Sequence, residues 1–160
     1  MDDADTRGLA YGLRRSPHHL LTDEEIEKLK EDIKAIRADI IVFKFNKGSQ
    51  TSYSDLLDEV HVRGDVLPEL VSIHPRGLMS PRAVLAHEYY GHRPYRNIEN
   101  ELSPGSWNDE FRASYMAAKN TPGLSREDRR YLVLDALERA KSAGVTIINN
   151  SFIRRILYGC

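Results

Sequence analysis

Two imidazoles and a carboxylate fall within six residues in His87-Glu88-Tyr89-Tyr90-Gly91-His92. Zinc accepts imidazole nitrogen and carboxylate oxygen, and a site with three protein ligands keeps a position open for water. Spacing decides whether these groups meet. The helical zinc motif His-Glu-x-x-His has its histidines at i and i+4, whereas four residues separate the two here. On an ideal α-helix an i+5 residue is turned by about 140° from residue i. Three arrangements follow. In the first, Glu88 and His92, which are four apart, share a face and both ligate, giving a carboxylate-rich site that also suits iron or manganese in a non-proteolytic enzyme. In the second, the helix widens or unwinds at Gly91 as a single-turn bulge, both histidines reach one metal, and glycine eases the departure. In the third, the three groups are core polar residues satisfied by hydrogen bonds.

The elements around the motif follow from caps and periodicity. Ser80-Pro81 is a strong helix start, and Pro94 stops that helix beyond His92. Thr22 with Glu25 forms a capping box, and Ile26, Leu29, Ile33 and Ile36 predict an amphipathic helix over 23–37. The β-branched and aromatic run 40–45 predicts a strand, Val60 to Val62 a second, and Leu70 to Ile73 a third. Arg63-Gly64-Asp65 reads as a turn. Ser106 with Asp109 caps a helix that carries Glu110, Phe111, Ala113, Met116 and Ala117, with Trp107 expected as a core anchor. Ser125 opens another helix ending near Gly144, and 151–158 predicts a last short one. Helix, a few strands, then several helices is an α+β arrangement. Residues 1–20, which include His18 and His19, show no clear period and are expected to be a poorly ordered arm, leaving 21–160 as a single domain.

Composition narrows the function classes. An apolar share of 41% with 29% charged residues belongs to a folded chain that buries a core. The net charge of -1 gives no argument for nucleic acid, and no apolar run approaches the roughly 18 residues of a membrane span. The single cysteine, Cys160, excludes an internal disulfide. An acidic start without a following apolar run does not read as a signal peptide, so the expected location is the cytoplasm, or outside the cell by a signal-independent route.

The stretch from Arg82 to His92 resembles the active helix of small gluzincin-type (zincin-like) metallopeptidases, in which an apolar helix of the form LAHE-x-GH ends in glycine and the second histidine. One extra residue, Tyr89 or Tyr90, is the departure. The helix Glu110-Phe111-Arg112-Ala113-Ser114-Tyr115-Met116-Ala117 is similar to the glutamate helix of the phage-repressor-cleaving type, with Met116 in place of a phenylalanine; the resemblance covers roughly 70–122. It implies a zincin-like fold, a small sheet against the active-site helix. It also implies zinc held by His87, His92 and Glu110, with Glu99, Glu101 and Asp109 as weaker alternatives for the third ligand. Glu88 is then the general base on a zinc-bound water, in a hydrolase cleaving peptide bonds of a protein or peptide substrate. An edge strand such as Leu70 to Ile73 would hold that substrate extended. Tyr115, Tyr131 and His74 are the candidate donors to developing oxyanion charge. The alternative function is a catalytically inactive zincin-like protein that binds partners or serves a structural role, with or without metal.

Overall fold

The computed structural model describes residues 14–68, 74–96, 102–103 and 105–159. The expected strand over Leu70 to Ile73, Glu99, Glu101, Cys160 and most of the expected arm lie outside these residues. Helix α1 spans Asp23–Ala35 behind its Thr22–Glu25 capping box and buries Leu29 and Ile33. Three short strands follow: β1 (Phe43–Phe45), β2 (Ser52–Ser54) and β3 (Glu59–Val62). They form one sheet in the order β1-β3-β2, with β1 parallel and β2 antiparallel to β3. The expected strand over 40–45 begins three residues late, because the Asp39 side chain accepts from the Ile41 amide and caps a 3-10 turn over Ile40–Val42. β2, whose serine-rich sequence carries no strand signal, is an edge strand.

The remaining elements are helical. A short α2 (Pro75–Leu78) precedes the motif helix. Helix α3 (Pro81–Ala86) starts at Ser80, whose hydroxyl accepts from the Ala83 amide. It runs without a break into a π-helical turn over His87–His92 and a 3-10 turn over Arg93–Tyr95. Pro94 thus ends the helix one residue beyond itself. Helix α4 (Trp107–Asn120) starts at Ser106, and α5 (Arg126–Ser142) at the Ser125–Asp128 capping box. Helix α6 (Ser151–Tyr158) closes at Gly159, which takes φ +77° as a C-terminal cap. This is a small α+β fold, with the three-stranded sheet packed against several helices. One core joins Leu29, Ile33 and Ile36 to Val60 and Val62 of the sheet and to Leu85, Ala117 and Leu132 of the helical half. Trp107 is half-buried, edge-on to Phe111, and stands outside that core.

The last stretch of the expected arm is tied down. Arg14 pairs with Pro68 and is 6% exposed, and His19 bonds Glu25 at 2.9 Å. His18 is exposed. No helix among the described residues is long and apolar enough to cross a membrane.

Candidate metal centre

The π turn resolves the spacing problem of the histidine motif. Bonding from i to i+5 widens the turn, so residues five apart stack on one face. The Nε2 atoms of His87 and His92 lie 3.2 Å apart. Glycine serves here for space rather than for backbone freedom. Gly91 has no positive φ, but a Cβ there would run into the Ala113 carbonyl of α4. That contact of backbone on backbone brings the first half of α4 against the motif. Glu110, three residues before Ala113, then completes the cluster: Oε1 is 2.9 Å from His87 Nε2, and Oε2 is 3.3 Å from His92 Nε2.

His87, His92 and Glu110 form a buried cluster able to coordinate a metal ion. The donor set can be tested against zinc. Tetrahedral zinc with bonds of roughly 2.0–2.2 Å spaces its nitrogen and oxygen ligands about 3.3–3.6 Å apart. The edges of 2.9, 3.2 and 3.3 Å are close to that triangle and slightly tighter. The tautomer of His87 agrees. Asp135 is wholly buried and held ionised: burial pushes its pKa up, but Arg139, Arg76 and the Ser114 hydroxyl outweigh this and lower it. An ionised carboxylate only accepts, so the Ser114 hydroxyl donates to Asp135 Oδ2 at 2.6 Å. Ser114 Oγ then accepts from His87 Nδ1 at 2.8 Å, which turns the lone pair of His87 Nε2 toward Glu110. Two acceptors at 2.9 Å call for a cation or a proton between them. Metal-ligating histidines are commonly oriented by such a bond from the other ring nitrogen.

The field in the cluster is negative. Burial alone would lower the pKa of His92, but its bond to Glu110 and the charges of Glu88, Glu110 and Asp109 raise it to about 9. For Glu110, burial pushes upward, and the two histidines beside it outweigh this and hold it well below the usual carboxylate range. Glu88 behaves differently. Burial dominates and raises its pKa. Its carboxylate accepts no hydrogen bond from the described residues, and its nearest cation-forming neighbour is His92 Nε2 at 4.0 Å. It lines the cleft, outside the triangle of the other three groups.

That cleft has a volume of about 930 Å³. The π turn lines it on one side and the edge strand β2 contributes Ser52 and Tyr53. The expected oxyanion donors are placed elsewhere. Tyr115 stacks on Phe111, packs against Phe152 and accepts from Asn150 at 2.9 Å; Tyr131 packs against the core; His74 pairs with Glu138 at 3.2 Å. None of the three lines the cleft. Asp109, a weaker candidate ligand, stands 3.8 Å from His92 Nδ1.

Ser114, Asp135 and Arg139 are the residues that sequence reasoning passed over. Arg139 Nε donates to Asp135 Oδ2 at 2.9 Å, and its Nη1 lies 3.6 Å from Glu110 Oε1. A signal existed: Glu110 with Ser114, and Asp135 with Arg139, are each four apart on a helix, and Asp135 interrupts the buried run Leu132, Val133, Ala136 and Ala140 of α5. Compared with known proteins, the chain matches no family model, no curated protein and no solved structure. The cluster is therefore characterised by its own geometry, which is consistent with a zincin-like metal site.

Proposed function

We propose that this chain is a zinc-dependent hydrolase of peptide bonds, with zinc held by His87, His92 and Glu110 and with Glu88 as general base. The observation that carries the reading is the π turn, which gives an i,i+5 histidine pair the convergence that an i,i+4 pair has on an α-helix. Zinc in such a site polarises a carbonyl and acidifies water. The chain's own residues supply the rest. Glu88 faces the cleft with a carboxylate that accepts no hydrogen bond from the described residues, free to take a proton from water and pass it to the leaving amine. Arg139, whose Nη1 lies 3.6 Å from Glu110, is a side-chain donor beside the cluster for developing negative charge. The edge of β2, unpaired among the described residues, offers main-chain groups to an extended peptide.

Elemental analysis of protein prepared without added metal tests the site, and a panel of unstructured peptides tests turnover. About one zinc per chain, lost in His92→Ala, is expected; a metal-free wild type that takes up no zinc on titration overturns the reading. Glu88→Gln is expected to keep its zinc and to lose turnover by about 10²–10⁴-fold. Loss of zinc in that variant would make Glu88 a ligand instead, and zinc-loaded wild type without turnover would favour the inactive binding protein.

A further inference from the structure

Two arginines of the cleft share one buried carboxylate. Arg76 Nε points to Asp135 Oδ1 at 3.4 Å, and Arg139 Nε donates to Oδ2 at 2.9 Å. Nε is the inner nitrogen of the guanidinium, so its use leaves both terminal nitrogens of each side chain for other partners. Among the described residues those nitrogens make no hydrogen bond; the nearest acceptor to Arg139 Nη1 is Glu110 Oε1, too far at 3.6 Å. Both arginines line the cleft. Other cleft arginines are occupied: Arg14 donates to four carbonyls, Arg96 Nη1 donates to the Arg93 carbonyl, and Arg112 lies over the Tyr95 ring and pairs with Asp109 at 3.6 Å.

We propose that Arg76 and Arg139 form a carboxylate-binding subsite beside the His87–His92–Glu110 cluster, so that the preferred peptide carries a carboxylate next to the scissile bond. The subsite rests on the peptide-hydrolase reading for its substrate class, not for its anion. Asp135 fixes both forks from behind, and planar forks recognise carboxylates through paired bonds. Charge selects the anion. With Glu110, which lies 3.6 Å from Arg139, taken up by the metal, two arginines less Asp135 leave a single positive charge, which one carboxylate neutralises. A doubly charged phosphate would carry an excess negative charge toward Glu88, Asp109 and Glu110, which line the same cleft.

Binding by NMR titration of the full chain, in zinc-loaded form on the Glu88→Gln background to prevent turnover, reads the subsite apart from activity. The probes are N-acetyl-diglycine, its C-terminal amide, and N-acetyl-glycyl-aspartate blocked as its α-amide. The free acid is expected to bind about tenfold tighter than its amide, a single charge-assisted contact being of that order. The preference is expected to vanish in Arg76→Gln and to fall in Arg139→Lys, which keeps charge and loses the fork. A carboxylate held by the metal alone would keep its preference in both. The aspartate probe separates sources: matching the free acid, it assigns a side-chain carboxylate; matching the amide, it assigns a chain terminus. Equal affinity of acid and both amides, or a preference untouched by Arg76→Gln, overturns the subsite. Arg76 is one-third exposed, so that variant remains informative if Arg139→Lys fails to fold. Absent turnover with an intact acid preference would instead fault the hydrolase reading.

Discussion

Arg14 and the His87–His92–Glu110 cluster both line the cleft and both remove polar atoms from water, yet their partners differ in kind. Arg14 sends Nε, Nη1 and Nη2 to the carbonyls of Asp65, Val66, Arg76 and Met79 at 2.6–3.0 Å. Donors meet acceptors, and the residue ties the chain near Pro68 to the turn before α3. Burial still lowers its pKa, to about 10, because neutral carbonyls replace water incompletely and Arg76 lies near. In the cluster, atoms that can ligate a metal face one another: Nε2 of His87, the carboxylate of Glu110 and Nε2 of His92 crowd within 3.3 Å. A buried polar centre whose donors and acceptors match is architecture. One whose ligand atoms converge is able to coordinate a metal ion, and a π turn and a close glycine contact hold it so.

The contrast breaks most sharply at Arg14. Arg14→Met removes the donor from four buried carbonyls, each costing about 1 kcal/mol or more when unmatched. Chemical denaturation is expected to show a loss of about 3 kcal/mol or more, while zinc stoichiometry stays near that of the unmodified chain. His87→Ala is the reverse: metal is lost, and stability without metal changes little or rises as the crowded ligand atoms part. If Arg14→Met also empties the site, the two centres are one cooperative unit and the distinction fails.

Gly91→Ala probes what the glycine is for. The added Cβ meets backbone, the Ala113 carbonyl, which cannot swing aside as a side-chain tip can. The expected cost is about 1–3 kcal/mol for overpacking, with zinc affinity falling as Glu110 is pushed from the histidines. A variant with unchanged stability and metal content would show that the close approach of Gly91 to Ala113 does not position Glu110.

Asp135→Asn tests the relay behind His87 while preserving shape. An amide can offer a donor to Ser114, so the fixed direction of the chain from His87 Nδ1 through Ser114 is lost. Competition with a chelating dye is expected to show zinc binding weakened by about 10–100-fold, the usual consequence of removing such outer partners. Unchanged affinity would mean that packing alone orients His87.

What the sequence let one read divides along the same line. Local signals were legible: Thr22, Ser80, Ser106 and Ser125 all cap helices where their side chains and spacing place them. The histidine motif was legible as an arithmetic problem with a widened turn as one answer, because the i to i+5 count is itself local. Glu110 came only through resemblance to another family's glutamate helix. Beyond the i,i+4 spacings on their own helices, the relay of Ser114 and Asp135 was not legible, since its bonds join residues 21 to 27 apart across the π turn, α4 and α5, and register between packed helices is set by contacts such as Gly91 on Ala113. The sheet was read least well. Its strands are three or four residues long, too short for alternation to show, and β2 is a strand only because β3 lies beside it.

The smallest expected effect comes from a third, exposed charge pair where the π turn ends. Arg93 Nε donates to Asp58 Oδ1 at 2.8 Å, and the Tyr53 hydroxyl donates to the same oxygen at 2.7 Å, linking the turn between β2 and β3 to the helix that carries the histidines. These bonds, Arg93 first and Tyr53 second, lower the Asp58 pKa to about 2. A carboxylate lowered in the folded state stabilises above its unfolded value, near 4, and that contribution disappears as pH falls through about 2. The side chain is 41% exposed, so screening keeps the gain small. Asp58 has φ +50°, a conformation asparagine tolerates, so Asp58→Asn removes charge without adding strain. Its melting temperature should sit slightly below that of the unmodified chain at pH 7, with the gap closing between pH 4 and pH 2. Because the pair is open to solvent, the gap should also narrow in added salt, whereas the zinc affinity of the buried cluster should not follow it. A salt-sensitive zinc affinity in this variant would show that the surface pair helps set the π turn, and that the line between structural and binding centres runs through Arg93.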